Sequence, residues 1–393
     1  MAERTDMDYD GITIHFGELW LKGRNRHEFI ELLVRNIKTA LGHEYAQKLE
    51  KLRDRLVVNV HSNEEVDTCL KALSHVFGVS WYAPYKVSGN SIEEMIKVSK
   101  HFFHNGEKVR VEPHRSSKNV GFDSKDIVSG FIKQSESLGF MLDKEGEETL
   151  YIEVLKDFSI IHKQKYAGLG GLPVGASGKA IVLLSGGIDS PIAAYFAMKR
   201  GLEPIYLHFY AYQSVEELKG SKMPKLISAL LQYSGGAKVY YVPVHLFQIA
   251  ALQEDQKYEV VLFKKFIYET AQLLASSNGS KVIVTGESLG QVSSQTAENL
   301  AASSTGISCL FFRPLIGLDK QEIINISMRL GLYKISIMPY KDACSLRSRN
   351  PVTRISKAAL DAIYERAGMR MLASESLEKA YFENIAPETE SQA

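Results

Sequence analysis

Hydrophobic positions change their period several times along the chain, and each change predicts an element. Apolar residues alternate with Thr13 and His15 across Gly11–Phe16, as in a half-buried strand. From His27 to Leu41 they recur at helical spacing, as Phe29, Leu32, Leu33, Ile37 and Leu41. A returning strand over Arg55–His61 and a helix from Asn63 through Leu73 complete a small α+β unit, with helices covering one sheet face. A second unit runs from about Ser88 to Tyr166. It alternates helix Ser91–Phe103, strand Lys108–Val111, helix Ser124–Ser137 and strands Thr149–Val154 and Phe158–Ile161.

After the glycine-rich stretch Gly168–Gly178, which has the composition of a linker, the pattern changes again. Short apolar runs at Ile181–Leu184, Glu203–Phe209, Lys238–Pro243, Lys281–Thr285 and Cys309–Phe312 are separated by helices such as Tyr258–Ser276. Near-continuous apolar strands alternating with helices predict a doubly wound parallel sheet, with its ligand at the carboxyl ends of the strands. A terminal helix over 355–370 follows, and the acidic stretch from Glu375 is expected to fray.

With 393 residues, 45% hydrophobic and 24% charged, the chain has room for two or three domains. A net charge of +1 says little, because local patches decide binding. Residues 20–55 hold nine Lys/Arg against five Asp/Glu, and residues 97–133 hold eight against four. Positive charge therefore gathers in the N-terminal half. Cys69, Cys309 and Cys344 are far apart, so neither a disulfide framework nor a cysteine-rich metal site is expected. No stretch has membrane-spanning length and no signal sequence opens the chain, so a cytoplasmic protein is expected.

The chemistry concentrates in Ser185-Gly186-Gly187-Ile188-Asp189-Ser190, between a buried strand and a helix. Glycines allow a tight turn whose N–H groups face an anion at the helix N-terminus, with Ser190 as N-cap and Pro191 as first helical residue. Strand, Ser-Gly-Gly-x-Asp-Ser and helix together match the pyrophosphate loop of enzymes that split ATP between its α and β phosphates. Asp189 is placed to orient magnesium or substrate. Gly178-Lys179-Ala180 fails the kinase-type P-loop, and Gly168-Leu169-Gly170-Gly171 fails the dinucleotide pattern.

Taken with other motifs in order, this loop resembles the tRNA 4-thiouridine synthetases, the ThiI family of tRNA uridine sulfurtransferases. The motifs are Gly17-Glu18-x-x-Leu21-Lys22-Gly23-x-Asn25-Arg26, Gly168–Gly175, Gly286–Thr296, and Pro339-Tyr340-Lys341-Asp342-Ala343-Cys344. The resemblance implies a ferredoxin-like domain (1–80), a THUMP RNA-binding domain (81–168), a linker (169–178), an ATP-pyrophosphatase domain (179–375) and a tail (376–393). It implies ATP and magnesium as cofactors, tRNA as partner and a homodimer. Leu183, Leu184, His208 and Phe209 would line the nucleotide site, with Gly286, Gln295 and Lys264 near it, and Lys320 would stabilise phosphate charge. Cys344, near Arg347, Arg349 and Arg354, would carry the sulfur chemistry, whereas Cys69 and Cys309 read as packing residues. RNA would meet Lys108, Arg110, His114, Arg115, Ser116 and Lys118 around a surface loop after Pro113, and Lys22, Arg24 and Arg26.

Many relatives continue into a rhodanese-like domain, and with the sequence running to Ala393 none is expected here. The donor is then a cysteine desulfurase, a separate rhodanese or sulfide. Alternatives are adenylation of another acceptor, including sulfur transfer to a carrier protein for thiazole synthesis, and a non-catalytic RNA-binding module. An RNA-binding N-terminal half argues against a small-molecule amidase.

Overall fold

The computed structural model describes residues 8–116, 121–341, 343, 348 and 350–386. Two compact units meet in sequence between Gly171 and Leu172. The first contains strands β1 (Gly11–Phe16), β2 (Leu49–Leu52), β3 (Arg55–Val58), β4 (Val79–Ser88), β5 (Lys108–Arg115), β6 (Met141–Leu142), β7 (Glu148–Val154), β8 (Ser159–His162) and β9 (Tyr166–Ala167). Its helices are α1 (Arg26–Ala46), α2 (Asn63–Leu73), α3 (Ile92–Ser99) and α4 (Ser124–Lys133). Helix α1 breaks at Gly42 (φ 72°), next to its anticipated end at Leu41. Ser62 with Glu65, and Asp123 with Asp126, close capping boxes that start α2 and α4.

All nine strands join one sheet in the order β2-β3-β1-β4-β8-β7-β5-β6, with β9 added to β4. Strand β4 is the spine. The expected division at residues 80 and 81 falls inside it, although no strand is expected from the sequence there. Its Pro84 argues against a central strand, but the neighbours leave a gap for it. On one edge β4 pairs with β1, and the Tyr85 carbonyl accepts from Asp10 N–H. Alternate residues bond to opposite edges, so Pro84 presents its missing N–H to the other edge. There β9 covers Trp81 and Tyr82, β8 covers Lys86–Ser88, and among the described residues nothing is paired between.

The second unit carries β10 (Lys179–Leu183), β11 (Glu203–Tyr210), β12 (Ala237–Pro243), β13 (Val282–Val284), β14 (Leu310–Phe312) and β15 (Tyr381–Ile385). Helices α5 (Asp189–Lys199), α6 (Val215–Lys219), α7 (Met223–Leu231), α8 (His245–Ala251), α9 (Glu259–Asn278) and α10 (Ala297–Ser303) alternate with the strands. Helices α11 (Lys320–Arg329), α12 (Tyr333–Ser336), α13 (Lys357–Arg366) and α14 (Met369–Glu378) follow. Strand order is β14-β13-β10-β11-β12-β15, parallel except for β15. The doubly wound sheet is as anticipated, and its order reverses between β10 and β13, where such sheets bind ligands.

Two expectations are corrected at the carboxyl end. The terminal helix is two helices, broken at Gly368 (φ 63°). Residues after Glu375 do not fray at once: α14 runs to Glu378, and β15 pairs antiparallel with β12. The glycine-rich stretch is also bonded rather than free. Gly168 and Gly170 donate to Ser80 and Val79 in the first unit, while Gly175 and Ser177 donate to Gly201 in the second. Among the described residues no helix is long and apolar enough to cross a membrane.

Candidate active site

At the end of β10 the chain turns through Ser185–Ile188 into α5. The helix begins at Asp189 after Ile188, and no side chain caps it. Ser190 is therefore not the N-cap, nor Pro191 the first helical residue. The Ser190 hydroxyl turns back instead: it accepts from Ser185 N–H at 2.8 Å and lies 3.0 Å from the Ser185 hydroxyl. Ser185 Oγ accepts from Gly187 N–H at 3.3 Å. The loop is closed by its own serines, and the N-cap residue of this eleven-residue helix offers no side-chain bond to the first N–H groups, an arrangement that suits an anion.

Asp189 is held from two sides. Lys320 donates to Oδ1 at 2.5 Å and Gln291 to Oδ2 at 3.0 Å. Lys320 opens α11, whose N-cap Asp319 forms a capping box with Glu322. This brings together the loop after β10, the loop after β13 and the start of α11.

Gly286 follows β13 and packs directly on the pyrophosphate loop. A Cβ there would stand 2.7 Å from Ser190 N and 2.8 Å from the Asp189 carbonyl carbon, so only glycine fits. Next to it, buried Glu287 is an anchor that sequence reasoning passed over although it lay inside a quoted motif. It accepts from Lys264, Tyr268, Thr285 and Arg313. Burial opposes its ionisation, but Lys264 and Arg313 outweigh that and hold its carboxyl at about 2. Lys264 thus shapes the Gly286 loop, while Lys265, on the neighbouring face of α9, is buried against Asp361 at 2.9 Å. Gln295 accepts from Ser288 N–H at 3.1 Å and so fixes the same loop.

Leu184, His208 and Phe209 are buried at the ends of β10 and β11, with Leu183 half-buried beside them. His208 Nδ1 lies 2.8 Å from the Leu184 carbonyl, which only accepts, so Nδ1 bears the proton. In the neutral ring Nε2 then accepts from the Tyr340 hydroxyl at 2.6 Å. Phe209 packs against Phe263 and Phe266 in the core, so its side chain is structural.

Cys344, Arg347 and Arg349 lie outside the described residues, and Arg354 is exposed near Glu298. Burial pushes the Cys69 thiol up to about 12 and raises that of Cys309 too, leaving both poor nucleophiles.

In the first unit, Lys108, Arg110 and His114 are exposed at alternate positions of β5, with Glu112 between them. Pro113 lies inside β5, which runs on to Arg115 before the chain leaves the sheet. It pairs with β7 on one edge, while β6 reaches only Lys108 and Val109 on the other, so its missing N–H costs no ladder bond. Arg110 is engaged by Glu112 at 2.9 Å and by Thr149 at 3.2 Å. Arg115 points the other way and donates to the Phe122 carbonyl at 2.6 Å, and Ser116 accepts from buried Arg55. Both are structural. Arg24 is exposed and Arg26 half-buried; Lys118 and the Lys22 side chain lie outside the described residues.

A parallel sheet with a Ser-Gly-Gly-x-Asp-Ser turn at its switch point defines an ATP-pyrophosphatase-type unit. Residues 175–369 match the family described as thiamine biosynthesis protein (ThiI), and residues 11–83 match the ThiI ferredoxin-like domain. A probable tRNA sulfurtransferase of Thermoanaerobacter pseudethanolicus is 33% identical over 91% of this chain and 94% of its own. That of Moorella thermoacetica is 31% identical over 97% and 99%. A solved 4-thiouridine synthetase–RNA complex with bound ATP has a TM-score of 0.86 and 28% identity, covering 96% of this chain and 100% of that one. The chain belongs to the ThiI family of tRNA sulfurtransferases.

Proposed function

We propose that this protein uses ATP to replace an oxygen of a tRNA uridine with sulfur, giving 4-thiouridine at position 8. The observation that carries the proposal is the uncapped N-terminus of α5 at the sheet's switch point, with Asp189 and Lys320 beside it. The C4 oxygen of uridine is a poor leaving group. It attacks the α phosphorus of ATP, pyrophosphate departs, and sulfur then adds at C4 and expels AMP. Gly186, Gly187 and the first N–H groups of α5 bind the departing pyrophosphate, and Lys320 offsets charge developing on phosphate. Gly286 lets the nucleotide loop close on Asp189, and Glu287 and Gln295 keep that loop in place.

Asp189 retains lone pairs beyond those used by Lys320 and Gln291, and magnesium needs only one or two carboxylates when phosphates complete its shell. Among the described residues no cluster of three or more His, Cys, Asp or Glu would hold a metal alone, which fits an ion that arrives with ATP. Asp189 would hold it, and the ion would neutralise phosphate charge.

Cys344 is the sulfur carrier in this proposal, receiving persulfide sulfur from a desulfurase or a rhodanese; sulfide, already at the oxidation level of the product, would instead add directly at C4 and expel AMP. The protein acts in the cytoplasm as a homodimer, and the first unit grips tRNA through Lys108, Arg110 and His114. The description of the matched family as a thiamine biosynthesis protein favours a second acceptor, a carrier protein for thiazole sulfur.

Incubation with unmodified tRNA, ATP, magnesium and sulfide should give the near-ultraviolet absorbance of 4-thiouridine, and Asp189→Ala should abolish it. A variant that still thiolates would defeat the proposal. Sedimentation checks the dimer.

A further inference from the structure

Lys222 belongs to none of the sequence motifs, yet it is 5% exposed and borders the pyrophosphate loop. Its ammonium donates to the carbonyls of Ser336 at 2.5 Å and Met338 at 2.9 Å. Those carbonyls lie at the carboxyl end of α12, where helix acceptors lack intrahelical partners and a cation is favoured. The same ammonium stands 5.4 Å from the centroid of the Tyr340 ring. Desolvating an ammonium is costly, so a lysine buried here is fixed by what it holds.

What it holds leads to the nucleotide loop. Tyr340 donates to His208, and His208 donates to the Leu184 carbonyl immediately before Ser185. The Tyr340 ring and the Lys222 stem also occupy the space beside Gly186. A Cβ on Gly186 would come within 2.6 Å of the ring and 3.1 Å of Lys222 Cε. Gly186 does not have a positive φ, so close approach rather than turn geometry requires glycine there. Tyr212 completes the packing, edge-on to Tyr340 with ring centroids 5.5 Å apart and accepting from Lys341 N–H at 3.3 Å.

We infer that Lys222 is a positioning residue for sulfur transfer: it fixes Ser336–Tyr340 on the pyrophosphate loop, four residues before Cys344 in the sequence. The inference rests on Cys344 as sulfur carrier. Adenylation and sulfur delivery then share one frame, and loosening the brace uncouples them.

The test measures AMP and 4-thiouridine together, using the full chain with tRNA, ATP, magnesium and a desulfurase with cysteine. Lys222→Met should lower 4-thiouridine formed per AMP by about tenfold, the scale on which misplaced reacting groups lose rate. Lys222→Arg, which keeps the donors, should recover at least half of the ratio. Tyr340→Phe should lower it in the same direction by a few-fold, and decides the matter if Lys222→Met does not fold. Cys344→Ser should collapse the ratio. If it does so while Lys222→Met and Tyr340→Phe keep the parental ratio, the brace is refuted and the sulfur carrier stands. If Cys344→Ser itself keeps the parental ratio, the carrier assignment fails and takes the brace with it.

Discussion

Asp189 shows how much one side chain can be asked to do. Its two oxygens take one charged and one neutral donor, Lys320 and Gln291, from elements more than a hundred residues away. Asp189→Asn keeps the shape but removes the charge that pairs with Lys320. Pyrophosphate release in the presence of tRNA should fall by about a hundredfold, the usual scale for losing a preorganised charge, with little change in melting temperature. Gly286→Ala probes the same site by volume. Its Cβ would meet main-chain atoms at 2.7 and 2.8 Å, which no rotamer change relieves. The KM for ATP should rise at least about tenfold, whereas a parental KM would show that the loop is free to retreat.

Among the elements, β4 joins the halves of the first unit, and a buried polar network lies across its flank. Arg55 on β3 pairs with Glu153 on β7, and His162 on β8 lies 3.0 Å from the same carboxylate. His15 on β1 stacks on Trp81 of β4 with ring centroids 3.7 Å apart. Glu153→Gln would leave the Arg55 guanidinium buried without its main charge partner, and should cost about 3 kcal/mol. Both tryptophans of the chain, Trp20 and Trp81, lie in this unit, so their fluorescence during urea unfolding measures the loss.

Acid acts on the same network. Burial lowers the His15 pKa from 6.5 to about 4, against the pull of Glu153. The unfolded chain therefore binds a proton below pH 6.5 that the folded chain refuses until about pH 4. Stability from His15 is complete above the first value and declines as pH falls towards the second. Burial also works against Glu153, but hydrogen bonding from His162 and the charge of Arg55 overcome it and hold the carboxyl at about 2. Its contribution starts to fade below pH 4.5. The urea midpoint reported by tryptophan should thus drop between pH 7 and pH 5, and His15→Gln should flatten that slope.

For the whole molecule, nucleic-acid affinity depends on modest local charge, because the net charge is only +1. Lys108 and Arg110 lie on an exposed sheet face, and Glu112 ties down one of them. Phosphate contacts release counterions, so tRNA binding should weaken steeply with salt. Lys108→Ala should reduce the slope of log K against log salt by about one, and Glu112→Gln should raise affinity a few-fold at low salt by freeing Arg110. Filter binding over a salt series checks both, and unchanged slopes would move the RNA surface elsewhere.

Local patterning determined which stretches would be strands or helices in the second unit, because buried parallel strands are short apolar runs bounded by turn residues. It also located the pyrophosphate loop, since that depends on neighbours in the chain. Only tertiary structure decided the rest. Pro84 can sit in β4 because two partner strands leave a gap opposite it, and Gly186, Lys222 and Tyr340 meet although 36 and 118 residues separate them in turn. Such contacts are set by which strands become neighbours, and linear spacing carries no record of that.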